Sequence, residues 1–258
     1  IAGMATILYE GVPVRPDASI WWQIVEKYKV SRMFSAPTAV RVLKKHPSEL
    51  MRKHDLSSLK ALYLAGEPLD EPTSAWIAGE LGVPIIDNYW QTETGWGIVG
   101  NPVGLGLLPI KHGSPTVPMP GYDVQIVDEA AKPVPNGQMG SIVIKLPLPP
   151  GCLPTLWQND GRMKESYLEE FPGYYKTADA GFKDYDGYLF IMGRTDDIIN
   201  VAGHRLSTGG MEEVLASHPA VAECAVIGIK DDLKGEQPCG FVVLKSGVTK
   251  SPLDIEKE

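Results

Sequence analysis

Cysteine is scarce: the 258 residues hold three, Cys152, Cys224 and Cys239, an odd number with wide spacing. That excludes a disulfide framework and any cysteine-based metal pattern, and it points to a reducing, intracellular compartment. Long apolar runs are also missing. The uncharged stretch from Gly97 to Ile110 is too short, and too rich in Gly and Pro, to cross a bilayer. There is no basic surplus either: 24 Lys and Arg against 32 Asp and Glu give a formal net charge of −8. A chain of that sign lacks the cations that would neutralise nucleic-acid phosphates or an anionic membrane, so neither is expected as a partner. No internal repeat and no low-complexity segment is visible. The chain also lacks an initiator Met and a signal peptide. At its far end Ser251, Pro252 and Asp254 announce a helix that has barely begun at Glu258, so we expect a piece of a longer protein.

What is present in the first hundred residues alternates between strand-like and helix-like runs. Ala5 to Tyr9 reads as a strand, Ile20 to Tyr28 as a helix by its apolar spacing, and Val30 to Ser35 as a short strand. A helix opens at Ala36-Pro37-Thr38, and Leu59 to Ala65 is a strand ending in Gly66-Glu67-Pro68. Asp70 to Leu81 is a helix, with Pro72 near its start and Gly82 past its end. Such alternation predicts a mostly parallel α/β sheet. From Asn101 the texture changes: Pro and Gly become frequent, and short β-type runs appear at Asp123 to Val127, Gly140 to Lys145 and Tyr188 to Met192. These predict a small antiparallel unit, a distorted β-barrel. The Pro-rich run from Leu146 to Pro154 reads as a surface loop. A strand (Ile198 to Val201), a helix (Gly210 to Ser217) and strands at Ala222 to Ile229 and Gly240 to Lys245 follow. The expected division is therefore 1–193, with subdomains 1–100 and 101–193, then a hinge at 194–198 and a partial α+β lid at 199–258.

One stretch concentrates chemistry. Asp87 to Gly97 (Asp-Asn-Tyr-Trp-Gln-Thr-Glu-Thr-Gly-Trp-Gly) follows the apolar run Val83 to Ile86 and suits neither a strand interior nor an amphipathic helix. It reads as a loop at the carboxyl end of a parallel strand, where open α/β sheets place ligands. Tyr89 can stack on a flat ring, Thr92 can bond a phosphate oxygen, and Glu93 can hold a hard cation that bridges phosphates. The plain alternative is a surface loop with its Tyr-Trp pair tucked into the core.

Gly66-Glu67-Pro68, then Tyr89-Trp90-Gln91-Thr92-Glu93-Thr94-Gly95, then Gly193-Arg194-Thr195-Asp196-Asp197 with Gly203-His204-Arg205, resemble short-chain acyl-CoA synthetases of the acyl-adenylate-forming superfamily. The likeness runs in order over nearly the whole chain, from Tyr9-Glu10-Gly11-Val12-Pro13 to Asp231-Leu233-Lys234-Gly235. It implies an enzyme that makes an acyl-AMP from ATP and a carboxylate and passes the acyl group to CoA, releasing AMP and pyrophosphate. Its substrates would be small molecules, Mg²⁺ its metal, and the cytoplasm, or the mitochondrial matrix of a eukaryote, its location.

Residue by residue, the resemblance implies that Gly66, Glu67 and Pro68 border the adenine, with Asp87, Asn88 and Tyr89. Trp90 would wall the acyl pocket, Gln91 and Thr92 face the α-phosphate, and Glu93 ligate Mg²⁺. Asp179 resembles the aspartate that bonds the ribose hydroxyls, Arg194 the arginine on ribose and phosphates, and Arg205 the one on the phosphates during adenylation. Asp196 resembles the hinge, and Ala202 and Gly203 lie where the CoA pantetheine passes. The carbonyls of Ala216 and Val221 with His218 resemble a second cation site.

Ala65, where acetyl-CoA synthetases usually carry a valine, enlarges the pocket by two methyl groups; with Trp96 and Ala202-Gly203-His204 it makes the chain look like propionate–CoA ligases. An acetate or general short-chain ligase is the alternative, and a noncatalytic nucleotide-binding relative is the alternative of another class. A peptide-synthetase adenylation domain is disfavoured because Trp90 leaves no room for an amino-acid side chain. The phosphate-binding loop and the catalytic lysine of the family are expected outside this stretch, which alone would be inactive.

Overall fold

The computed structural model describes residues 3–202, 204–245, 247–251 and 254–255. Three sheets organise it. The first has the order β1 (Arg32–Ser35), β2 (Ala61–Ala65), β3 (Ile85–Trp90), β4 (Gly97–Gly100) and β5 (Val117–Pro118). β1, β2 and β3 are parallel neighbours, whereas β4 and β5 add on antiparallel.

Helices α1 (Ile20–Tyr28), α2 (Pro37–Lys44) and α4 (Glu71–Leu81), with the single turn α3 (Glu49–Arg52), supply the connections. The alternation of β2 explains the layer. Leu62 and Leu64 are fully buried with Trp22, Val40, Leu43 and Ile77 of the helices, while Tyr63 and Ala65 face the opposite side. α4 is bounded as its sequence demands: the Asp70 side chain accepts from the Thr73 N–H at 2.7 Å, and Gly82 closes the helix in the left-handed region at φ 62°.

The second sheet is antiparallel, in the order β6 (Val124–Val127), β7 (Gly140–Lys145), β8 (Tyr174–Lys183) and β9 (Leu189–Arg194). It corrects the expected barrel: the four strands stay open, and β6 and β9 do not pair with each other. The apolar face is instead covered by the first sheet, because Ile98 and Val99 of β4 share one core with Val124, Ile126, Ile142, Ile144, Tyr175 and Leu189. A bridge between Thr116 and Leu189 continues that junction.

The third sheet is antiparallel too, in the order β11 (His204–Ser207), β10 (Ile198–Val201), β13 (Gly235–Leu244) and β12 (Val221–Asp231), with α6 (Thr208–Ser217) beside it. Ser207 caps α6 by accepting from the Gly210 N–H at 3.2 Å and donates to the Met192 carbonyl at 2.7 Å, tying this sheet to β9.

Several expectations change. Ala5 to Tyr9 is exposed and forms no strand, having no neighbour among the described residues to complete its hydrogen bonds. The stretch expected as a loop from Asp87 begins as strand: β3 continues through Trp90, a 3₁₀ turn follows at Thr92–Thr94, and the chain returns as β4. The ten-residue β8 and the helix α5 (Asp160–Tyr167) were not foreseen. The run from Leu146 to Pro154 is irregular and mostly exposed, as expected of a loop, but it is anchored: Cys152 is buried and the Leu153 N–H donates to the Glu93 carbonyl at 2.7 Å.

Candidate functional site

The shared core sets β8 against the carboxyl end of β3, and a bulge aims one side chain across the gap. β7 and β8 pair Ser141 with Ala180 but Val143 with Lys176, so two extra residues of β8 arch outward. Ala178 takes the left-handed conformation at φ 60° within that arch, a strain of about 1–2 kcal/mol for a residue with a Cβ. The residue it turns inward is Asp179, a position that reads from the sequence as an ordinary turn aspartate.

The side chains of β3 alternate at this junction. Tyr89 and Gln91 lie towards Asp179. The Tyr89 hydroxyl donates a short hydrogen bond to Asp179 Oδ2, and Gln91 Nε2 donates to the same oxygen at 2.7 Å and to the Thr177 carbonyl at 2.7 Å. Asn88 and Trp90 turn the other way and line a cleft of about 820 Å³ with Phe34, Tyr63, Ala65 and Trp96. One strand end therefore borders a polar cluster on one side and an apolar cleft on the other. Trp90 and Trp96 are 42% and 69% exposed, which leaves the cleft walls open to a ligand.

The polar cluster continues as a ribbon. Gln91 Oε1 accepts from the Tyr175 hydroxyl at 3.1 Å, and the fully buried Tyr175 ring stacks on Tyr167 at 5.3 Å and 7°. The Tyr167 hydroxyl then donates to Glu93 Oε1 at 3.1 Å. Both carboxylates end up half engaged. Among the described residues, donors reach Oδ2 of Asp179 and Oε1 of Glu93, while Oδ1 and Oε2 accept no hydrogen bond. Burial pushes the Asp179 carboxyl above its ordinary value, with partial relief from Tyr89, Arg194 and Gln91. Thr92 and Glu93 share the 3₁₀ turn, which a reciprocal box between Gln91 and Thr94 closes at its start and Gly95 at its end, with φ 63°. Tyr167, Tyr175 and Thr177 are contributors that sequence reasoning missed. Asn159 and Asp160, a capping residue and a first-turn acid ahead of Met163 and Tyr167 four apart, were the available signal for the first of them.

Other predicted residues stand differently. Glu67 is tied down: it accepts from the Thr38 N–H at 2.7 Å, from the Thr38 hydroxyl, and from Arg41 Nη1 at 3.0 Å. Arg41 also reaches the Pro68 carbonyl at 2.7 Å and Asp70 at 2.8 Å, so one guanidinium shapes the turn at Gly66-Glu67-Pro68. Burial disfavours the Glu67 charge, but Thr38 and Arg41 outweigh it and hold the carboxyl below its usual range. Gly66 sits at φ 107°, a conformation that favours glycine.

Among the described residues Asp87 accepts from the Asn88 N–H alone, at 2.9 Å, and it lies in register with Leu64; burial pushes it up to about 7. Arg194 and Asp196 are exposed and pair with each other at 3.3 Å. Ala202 is exposed at φ 48° next to β10, and Gly203 lies outside the described residues, as does the Arg205 side chain. His218 caps α6, and its Nδ1 accepts from the Ala220 N–H at 3.2 Å, beside the carbonyls of Ala216 and Val221 in sequence. Among the described residues no three His, Cys, Asp or Glu side chains gather as a metal cage. Nor, among them, is any helix long and apolar enough to cross a membrane.

Comparison with known proteins gives the family. A propionate–CoA ligase of Escherichia coli (strain K12) is 56% identical over 257 residues, covering 99% of this chain and 41% of that protein. An acetyl-coenzyme A synthetase of Pyrobaculum aerophilum is 42% identical over all of this chain and 39% of its own length. The chain thus spans about two fifths of the curated relatives it matches. Among solved structures, the anthranilate CoA ligase AuaEII in complex with anthranoyl-AMP superposes with a TM-score of 0.78 at 29% identity, over 99% of this chain and 47% of that one. The profile of the AMP-binding enzyme C-terminal domain matches residues 210–258. The profile described as AMP-binding enzyme matches residues 1–149, more than half of the chain and including the whole β3 strand end; the chain belongs to the AMP-binding enzyme family.

Proposed function

We propose that the chain is part of a short-chain acyl-CoA synthetase that activates propionate with ATP to propionyl-AMP and then forms propionyl-CoA, releasing AMP and pyrophosphate. The observation that carries this reading is the two-sided end of β3. Tyr89 and Gln91 hold Asp179 on the polar side, and Trp90 and Ala65 both line the apolar cleft on the other. An acyl-adenylate has those two halves joined at one phosphate. Relatives named propionate–CoA ligase, at 56% identity, favour the three-carbon substrate over the acetate and general short-chain alternatives.

The residues divide the work. Asp179 accepts the ribose hydroxyls through the oxygen that Tyr89 and Gln91 leave open, and a carboxylate serves two hydroxyls better than a neutral acceptor does. Asp87, Asn88 and Tyr89 with Gly66 to Pro68 border the adenine, and Gln91 and Thr92 face the α-phosphate. The residues present fit Mg²⁺: the cation binds by one or two carboxylates plus phosphate oxygens, and Glu93 offers one unshared carboxylate oxygen. Held there, the metal supplies charge that offsets repulsion between the incoming carboxylate and the triphosphate. Arg194 and Arg205 are assigned to the ribose and phosphates, Asp196 to the hinge of a C-terminal lid, and Ala202 and Gly203 to the pantetheine path. Ala216, His218 and Val221 are assigned to a second cation. Sites for CoA's nucleotide are not assigned to this stretch.

Full-length protein is the test. kcat/KM is measured for acetate, propionate and butyrate, with Ala65→Val beside the parent sequence. Propionate is expected to lead, and the added methyl groups to move the acetate-to-propionate ratio at least tenfold towards acetate, at about 1–3 kcal/mol per methylene. An unchanged ratio rejects the pocket assignment.

A further inference from the structure

The metal carboxylate assigned above is fastened at three points, and only one of them acts on its charged group. The 3₁₀ turn fixes the Glu93 backbone from within, and the Leu153 N–H fixes its carbonyl at 2.7 Å. The carboxylate itself receives one donor among the described residues, the Tyr167 hydroxyl on Oε1 at 3.1 Å. Tyr167 is the last residue of α5, partly buried, with its ring clamped flat against Tyr175 at 5.3 Å. A stacked ring has little freedom left about its torsions, so its hydroxyl is a fixed point and not a roving surface donor. An ionised carboxylate whose one oxygen is held in this way keeps a single rotamer and turns the other oxygen outward.

We propose that Tyr167 is a positioning residue: its hydroxyl holds Oε1 of Glu93 and so presents Oε2 to the divalent cation that accompanies the nucleotide triphosphate. The proposal rests on the assignment of Glu93 to the metal. Partners that hydrogen-bond a ligating carboxylate typically carry 10–100-fold in metal affinity or activity. The same ribbon gives Tyr167 reach beyond the metal. Tyr175, on which it stacks, donates to Gln91, and Gln91 donates to Asp179, so the orientations of the metal carboxylate and the ribose carboxylate share one support.

Tyr167→Phe keeps the ring and its stacking and deletes only the donor. In the full-length protein the variant is compared with the parent sequence and with Glu93→Gln by two readouts that need no turnover. Dissociation of the Mn²⁺–ATP complex is followed by electron paramagnetic resonance, and metal-free AMP binding by calorimetry. The expected result is a loss of about tenfold or more in Mn²⁺–ATP affinity for both variants, with the AMP dissociation constant of Tyr167→Phe within twofold of the parent. If Glu93→Gln weakens Mn²⁺–ATP and Tyr167→Phe does not, the positioning role is overturned while the metal reading of Glu93 stands. If neither weakens it, the metal reading falls and the proposal with it. If Tyr167→Phe weakens AMP as much as Mn²⁺–ATP, its hydroxyl serves the fold of the site in general and the proposal is likewise rejected.

Discussion

Replacing Asp87 by Asn is expected to make the protein more stable, and increasingly so as pH rises. Asp87 sits on β3 in register with Leu64, and the one group among the described residues that stabilises its charged form is the Asn88 N–H. Burial therefore dominates and pushes the carboxyl from 3.8 up to about 7. A carboxyl raised by folding holds its proton more tightly in the folded chain than in the unfolded one. Its contribution is harmless below the ordinary value, and the folded state loses stability as pH climbs towards 7. At about 1.4 kcal/mol per tenfold, the penalty is about 2 kcal/mol at pH 5 and about 4 kcal/mol at pH 8, where it levels off. Asn has nearly the same shape and no charge to lose. The assay is urea unfolding of parent and variant at half-unit steps from pH 5 to 8; taking the difference between them cancels every other titrating group. The advantage of Asp87→Asn should grow by about 2–3 kcal/mol over that range. A difference that stays flat with pH would refute the reasoning, because it would mean that Asp87 keeps an ordinary acidity in the folded chain.

Two further outcomes are expected. At Gly181, a Cβ would lie 2.3 Å from the Phe190 carbonyl oxygen and 3.0 Å from Ile142 Cδ1. Backbone cannot yield there without parting β8 from β9, so Gly181→Ala should cost about 1–3 kcal/mol in a urea titration, and no loss would show that the strands have room. The 258-residue chain by itself should give no pyrophosphate exchange with propionate, Mg²⁺ and ATP, since the phosphate loop and lysine implied by the family resemblance are not in it; turnover would reject that.

Much of the first sheet was legible because its signals are local. Asp70, Pro72 and Gly82 bracket α4 within one residue, and Ile20 to Tyr28 carries its apolar face at helical spacing. The failures share a cause. β8 (Tyr-Tyr-Lys-Thr-Ala-Asp-Ala-Gly-Phe-Lys) has small and polar residues where a strand pattern wants alternation, because it bulges around Ala178 and is crowded at Gly181. Ala5 to Tyr9 has good strand residues and, among the described residues, no neighbour to pair with. α5 buries only Met163 and stacks only Tyr167, too little apolar surface to show a period, although its Asn159 cap was readable. In the site, Tyr89, Gln91, Glu93 and Asp179 could be named from motif order. Their coupling could not, because Tyr167 and Tyr175 enter from elements whose approach depends on how two sheets share a core.

That coupling bears on how such a site works before any ligand arrives. A buried or half-buried carboxylate resists desolvation, so a chain that merely placed two there would let them swing towards water. Here each is held by neutral donors, a phenol and an amide at Asp179 and a phenol at Glu93, which stabilise the charge without cancelling it. Arg194 acts on Asp179 through its charge without a hydrogen bond to it among the described residues, so the carboxylate is oriented by neutral groups. Neutral donors on one oxygen of each group fix orientation while the other oxygen keeps its full acceptor capacity. Among the described residues no buried side-chain polar atom lacks a hydrogen bond, so the arrangement needs no rearrangement to be satisfied and its order is in place in advance. On the assignment proposed above, hydroxyls would meet Oδ1 of Asp179 and a cation would meet Oε2 of Glu93, while the rest of the ligand reaches the apolar side of Trp90.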